Sequence, residues 1–425
     1  MFFYGYWNPK YIFLILASIL FNFTIGIYLS KIIFTFNKKY LLIFGIFSNL
    51  LLLGYFKYTD FLLDNLNKLT ENNIPLPHIV LPLGISFFTF TQIAFLVDCY
   101  RGYVREHSFF TYSLFVTYFP HLLAGPILHH SEMIPQFSNK YRKSINSKNI
   151  ISGLFLFSIG LFKKVVIADT FAIWATAGFD RTSSLSFFEA WSTSLSYTFQ
   201  LYFDFSGYTD MAVGISLLFN IKLPINFNSP YKACNIQDFW RRWHMTLSRF
   251  LRDYIYIPLG GNRYGSLRTY VNLFITFFLG GLWHGAGWTF IFWGILHGLA
   301  LIINRFWQSL GFRINKCIAW LITFNFINIT WIFFRAKNWQ DATKVIEGMF
   351  NFQKIQIMDT TILSLLYIIV ALFIVLVLKN SNQIKLKNKN LAFFIITFLL
   401  VFSFLQIFYF ILETNKVSEF LYFNF

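Results

Sequence analysis

Long apolar runs separated by short polar stretches dominate the chain, at roughly residues 11–34, 40–57, 77–97, 109–128, 149–162, 186–203, 205–220, 268–283, 286–304, 317–334, 361–378 and 391–412. About 20 apolar residues cross a bilayer as one helix, so the pattern predicts an all-α integral membrane protein of about 10–12 membrane helices, some of them partial. The run from Phe109 to Leu128 ends in FPHLLAGPILHH, where Pro120, Gly125 and Pro126 oppose a continuous helix. Arg101 and Arg105 precede that run, and Lys140, Arg142, Lys143 and Lys148 follow it. Basic residues on both flanks predict a re-entrant hairpin, with its broken backbone buried in protein or lining water. Only about 14 apolar residues precede Lys163 and Lys164, a length that fits a partial or interfacial helix. Between Ile236 and Ile257, Arg241, Arg242, Arg249, Arg252 and Asp253 alternate with Phe239, Trp240, Trp243, Phe250 and Tyr254. That alternation predicts a helix lying in the membrane interface. No repeat, low-complexity tract or soluble domain interrupts the pattern, and residues 1–425 read as one membrane domain.

Composition sharpens this picture: 56% of the residues are hydrophobic and 12% charged, which excludes an ordinary soluble domain. The net charge of +17 is spread in short clusters between apolar runs rather than over one soluble face. Anionic lipid headgroups and the positive-inside rule account for that placement, and no nucleic-acid partner is expected. Lys31, Lys38 and Lys39 put the first loop inside, and the mixed-charge stretch from Lys57 to Glu71 suits the outside. Lys379, Lys385, Lys387 and Lys389 put the last loop inside, so the final span from Leu391 carries the C-terminus out. The first apolar run, about 24 residues with no small-residue cleavage site, reads as a span rather than a signal peptide. Cys99, Cys234 and Cys317 have neither paired spacing nor a CxxC, so neither a disulfide framework nor a thiolate metal site is indicated.

Four polar clusters interrupt the apolar sequence: PHLLAGP around His121, QLYFDFSGYTDMAVG around Asp204 and Asp210, FWRRWHMTLSRFLRDY around His244, and GGLWHGAGW around His284. Ionisable groups at membrane depth usually mark a reaction or transport path. His284 stands among Gly280, Gly281, Gly285 and Gly287, which strip away side-chain bulk and let something approach it closely. A channel needs rings of like charge or repeated filter carbonyls, and a proton-driven transporter needs chains of acids and bases. Single histidines among glycines and aromatics instead suit a general base, since a neutral imidazole can take a proton from a hydroxyl near neutral pH. Arg241, Arg242, Arg249 and Arg252 recur at helical spacings, and guanidinium groups suit either lipid headgroups or the phosphates of a donor.

The segments LPLGISFFTF, FPHLLAGPIL, LYFDFSGYTDMAVGISLLFNI, FNSPY, DFWRRWHMTLSRFLRDYIYIPLGGNR and GGLWHGAGWTFIFWGILHG together resemble the membrane-bound O-acyltransferase family. The likeness is to its bacterial branch that O-acetylates alginate, peptidoglycan and other envelope polysaccharides, with the teichoic-acid D-alanyl transferases as cousins. It runs from about Trp7 to the last residue. One departure is a further apolar span that the branch usually carries ahead of the WNPKY element, which begins here at Trp7.

The resemblance implies a helical bundle with re-entrant segments around a central funnel, a motif core at about residues 77–305, and a place in the bacterial inner membrane. It implies acetyl transfer from a cytoplasmic donor, acetyl-CoA, to a polysaccharide acceptor across the membrane. His284, in the family's WHG motif, becomes the essential histidine, and His244 matches a second motif histidine. His297 is a third. Were residues 284–297 one helix, about 20 Å would separate the two and His297 would not partner His284 directly. Arg241 and Arg242 become candidates for the coenzyme A phosphates. Asp204 and Asp210 read as structural, pairing with Arg252 or orienting a histidine.

The extracytoplasmic aromatic tail, residues 413–425, ends in FLYFNF and resembles the tyrosine-containing C-terminus of the branch. Tyr422 is thereby a candidate acyl carrier that hands the acetyl group to a separate SGNH-esterase-type transferase. The alternative to an acetyltransferase is a transporter or flippase for a lipid-linked glycan, which would line a continuous path with acidic and basic side chains.

Overall fold

The computed structural model describes residues 2–31, 37–104, 108–139, 142, 144–355, 359–384, 388–414 and 421. Arg105, Lys140, Lys143, Lys385, Lys387, Phe420, Tyr422, Phe423 and Phe425, all invoked above, lie outside the described residues. Those described are helical, with no β-strand among them, and they group into two compact units. One takes the chain up to Ser147 and adds Ser216–Pro224; the other takes Lys148–Ile215 and Ile225–Leu421.

In the first unit, α1 (Phe2–Trp7), α2 (Lys10–Ser30), α3 (Lys38–Thr70) and α4 (Ile85–Tyr100) precede three short helices, α5 (Phe109–Thr117), α6 (Phe119–Leu122) and α7 (His130–Ser138). A helix surrounded by hydrocarbon gains little from burying another apolar side chain, so polar pairs set its contacts. Asn22 of α2 and Asn49 of α3 exchange amide hydrogen bonds of 3.1 and 2.7 Å. Gln92 of α4 donates to Ser18 of α2 at 2.9 Å and accepts from Tyr112 of α5 at 3.3 Å. The run from Phe109 is broken as the sequence predicts: α5 stops at Thr117 before an extended Tyr118 (ψ 100°), the short α6 ends at Leu122, and residues 122–128 are all buried in protein.

The second unit begins with α8 (Ser147–Phe162), a π-helical turn (Lys163–Ala168), α9 (Asp169–Thr176) and a second π turn (Ala177–Arg181). These form one uninterrupted helix of 35 residues, where the sequence predicts a partial or interfacial piece ending at Lys163. The reason is that both lysines are paired inside the protein. Lys163 Nζ stands 2.6 Å from Asp210, and Lys164 Nζ stands 2.7 Å from Asp169 and 2.9 Å from Asp204. Asp204 and Asp210 therefore hold lysines rather than Arg252, whose partner is Asp253. Both aspartates belong to α10 (Phe187–Leu218), a single helix where the sequence shows two apolar runs. The backbones of α8 and α10 touch: a methyl group on Gly160 would stand 2.5 Å from the Gly207 carbonyl oxygen, and one on Gly214 would stand 2.6 Å from that of Gly153.

The chain continues through α11 (Ile236–Trp240), α12 (Met245–Leu251), a π turn (Arg252–Tyr256), α13 (Gly265–His284) and α14 (Trp288–Ser309). It ends in α15 (Lys316–Arg335), α16 (Trp339–Met349), α17 (Asp359–Val377) and α18 (Lys389–Thr414). The single interfacial helix expected over Ile236–Ile257 is instead two short helices and a π turn. The break falls at His244, whose backbone is left-handed (φ 43°, ψ 54°). By length and composition, six helices among the described residues can cross a membrane, and α4 and the main part of α17 are shorter apolar helices.

Removing one member of a buried ion pair strands the other charge at a cost of about 3–5 kcal/mol, whereas replacing both by apolar residues is near neutral. Asp210→Leu should therefore sharply lower the thermal midpoint of the purified protein in detergent. Adding Lys163→Met should restore much of it. A double variant as unstable as the single one would contradict the pairing.

Candidate active site

The site grows from the packing of FNSPY against DFWRRWH. Residues 226–228 run beside 242–245, with Asn228 N–H donating to the Arg242 carbonyl at 2.9 Å and Met245 N–H donating to the Asn226 carbonyl at 3.0 Å. Trp243, buried, stacks on Phe239 with ring centroids 5.7 Å apart and packs against Phe227 and Trp331, each at 5.0 Å. This aromatic cluster holds the turn that presents His244. Its imidazole lies 3.2 Å from Asn226 Oδ1 and meets the ring of Phe205 edge-on at 4.8 Å. Burial pushes the His244 pKa down to about 3, so the ring is neutral at physiological pH.

His284 is the last residue of α13, and Gly285–Gly287 break the chain before α14. His284 and His297 therefore sit on separate helices, not on the single helix considered from sequence. The two helices touch through their backbones, since a methyl group on Gly281 would lie 2.5 Å from the Phe290 carbonyl oxygen and 2.9 Å from Gly294 Cα. Gly281 and Gly285 thus admit helix α14 rather than a free ligand. The His284 ring is boxed by Trp283 at 4.9 Å and by Trp293 and Phe334 at 5.0 Å each. Trp283 also faces His244 at 6.4 Å, and Trp293 also faces His297 at 4.6 Å. Three histidines consequently share one aromatic box. His297 accepts at Nδ1 from the Trp240 indole N–H at 3.2 Å, so its neutral ring carries its proton on Nε2.

Trp240 also lines a cavity of about 710 Å³ between α11, α12, α13 and α14. Arg241, Arg249, Arg252 and Arg305 line it too, with Asn262 and Asn304. Such a volume falls within the range of small-molecule and cofactor sites, about 300–1,000 Å³. Four guanidinium groups make it suited to a polyanion. Arg242 is not among the lining residues; its Nε bonds Asp238 at 2.9 Å. Trp240 stands 5.8 Å from Trp293, which packs on His284, so two indoles separate the cavity from that histidine.

His121 belongs to the other unit, where its Nε2 donates to the Phe115 carbonyl at 3.1 Å, the buried hydrogen bond expected of it. Tyr422 lies outside the described residues. Sequence reasoning passed over Asn226, Trp293, Phe334 and Arg305. Asn226 carried a usable signal, its place beside FNSPY, while Arg305 is the only lysine or arginine of α14.

Residues 99–338 match the model of the membrane-bound O-acyltransferase (MBOAT) family. The chain belongs to that family. This MBOAT protein is accordingly an acyltransferase and a multi-pass membrane protein. It is 55% identical to the peptidoglycan O-acetyltransferase of Helicobacter pylori over 82% of this chain and 72% of that protein. It is 42% identical to the probable alginate O-acetylase AlgI of Pseudomonas aeruginosa, over 82% of this chain and 68% of that one. A more distant relative is the teichoic acid D-alanyltransferase of Bacillus subtilis, 28% identical over 60% of this chain and 69% of that protein.

Proposed function

We propose that this chain takes an acetyl group from acetyl-CoA at the cytoplasmic face of the bacterial inner membrane and passes it across for O-acetylation of an envelope or secreted polysaccharide. The observation that carries this reading is the arginine-lined cavity whose wall, Trp240, packs on Trp293 of the box around His284. Arg241, Arg249, Arg252 and Arg305 suit the donor's phosphates, leaving the slender pantetheine arm to reach the histidines. His284 then acts as general base. It takes the proton of an attacking hydroxyl as the new C–O bond forms at the thioester carbonyl; the C–S bond breaks, and the thiolate leaves with that proton.

The first acceptor in this scheme is Tyr422. A phenol is more acidic than an alkyl alcohol, so an imidazole can activate it, and its ester is reactive enough to pass the acetyl group to an extracytoplasmic SGNH-type transferase. Supporting this, the neighbouring Leu421 donates its backbone N–H to buried Asp204 of α10 at 3.2 Å.

Loss of a positioned base costs about 10²–10⁴ in rate. His284→Ala should abolish acetylation of the polysaccharide, read by mass analysis, while the protein still accumulates in the membrane. Near-normal acetylation would remove His284 from the mechanism. Arg241→Gln should weaken binding of a coenzyme A analogue several-fold more than Arg242→Gln, since only Arg241 lines the cavity; equal losses, or none, would favour a headgroup role for both. Tyr422→Phe keeps the ring and deletes the nucleophile. Acetylation should stop, and wild-type acetylation by that variant would reduce the tail to an anchor.

A further inference from the structure

Asn226 is fully buried, and its side-chain oxygen accepts three hydrogen bonds: from Thr246 N–H at 3.2 Å, from Thr246 Oγ1 at 2.9 Å and from His244 Nδ1 at 3.2 Å. The backbone N–H of Thr246 can only donate, so the atom facing it must be the amide oxygen rather than the amide nitrogen. An oxygen of an uncharged amide accepts only. His244 Nδ1 must therefore carry a proton, and in the neutral ring Nε2 then has none. The same residue grips the turn itself, because its backbone carbonyl accepts from Met245 N–H at 3.0 Å. A left-handed backbone is unfavourable at a non-glycine residue, and His244 keeps it because Asn226 bonds the backbone of both residues that follow.

We infer that Asn226 is a positioning residue that fixes the ring plane and tautomer of His244, so that His244 meets the reactants as a hydrogen-bond acceptor through Nε2. This assigns a direction to the second histidine. A neutral imidazole whose one proton is committed to Asn226 cannot donate to the carbonyl oxygen of a thioester, so it does not stabilise the oxyanion. It can only accept a hydrogen bond, whereas the proton of the attacking hydroxyl goes to His284. The inference rests on the acyl-transfer reading of the box around His284.

The test is the ¹⁵N spectrum of the histidine rings in the full-length protein, with the His244 signals assigned by their loss in His244→Gln. The wild-type protein should show His244 Nδ1 protonated and Nε2 bare; a protonated Nε2 would overturn the inference without any variant having to fold. Asn226→Leu should mix the two tautomers and lower turnover about 10- to 100-fold, the usual effect of losing the group that orients a functional histidine, with KM for acetyl-CoA unchanged. Asn226→Asp, which keeps the acceptor, should keep the wild-type tautomer and recover most of the turnover. Equal loss in both variants, tracking a lowered thermal midpoint, would make Asn226 merely structural. Full activity in Asn226→Leu beside an inactive His244→Gln would overturn the inference and leave the acyl-transfer reading standing. Full activity in His244→Gln would instead remove His244 from that reading and take the inference with it.

Discussion

The backbone contact between α13 and α14 at Gly281 and Gly294 fixes where the chemistry can stand. It leaves no room for a side chain between the two helices, so their aromatic residues close around one point from both sides. Trp283 and His284 come from the end of α13, Trp293 and His297 from α14, and Phe334 and Trp331 from α15. Each ring in the box touches at least two others, which leaves each histidine little freedom to turn. The turn at His244 is attached to the same cluster through Trp243 and Trp331.

A second constraint is the expense of polar groups in hydrocarbon. The chain meets it by pairing them internally: two lysines with three aspartates between the first long helix of the second unit and α10, and amide with amide between α2 and α3. Charge is thus used in two ways. Around Lys163 and Lys164 it is neutralised and structural. Around the cavity four guanidinium groups gather, one of them, Arg252, paired with Asp253, and the lining residues include no carboxylate.

Much of this was legible in the sequence. Apolar runs located the membrane helices, Pro120 and Pro126 located the broken one, and six motifs in order placed the family. What failed did so wherever a residue's meaning depended on a distant partner. Lys163 and Lys164 look like the end of a span until Asp204 and Asp210, some 40 residues on, are packed beside them. Gly281 and Gly285 beside His284 look like room for a substrate until Phe290 and Gly294 fill it. The arginine-rich stretch after Ile236 has a helical pattern throughout, but the bonds from Asn226 break it at His244. Period and composition report which face of a helix is apolar; they do not report what covers that face.

In the proposed reaction one cationic donor site leads to the histidine box. The most direct measurement is an experimentally determined structure of the full chain with a non-hydrolysable acetyl-CoA analogue. The analogue's phosphates should lie against Arg241, Arg249, Arg252 and Arg305, with its acyl end past Trp240 on the side of Trp293 and His284. An analogue bound away from this cavity, or one whose acyl end points away from His284, would contradict it.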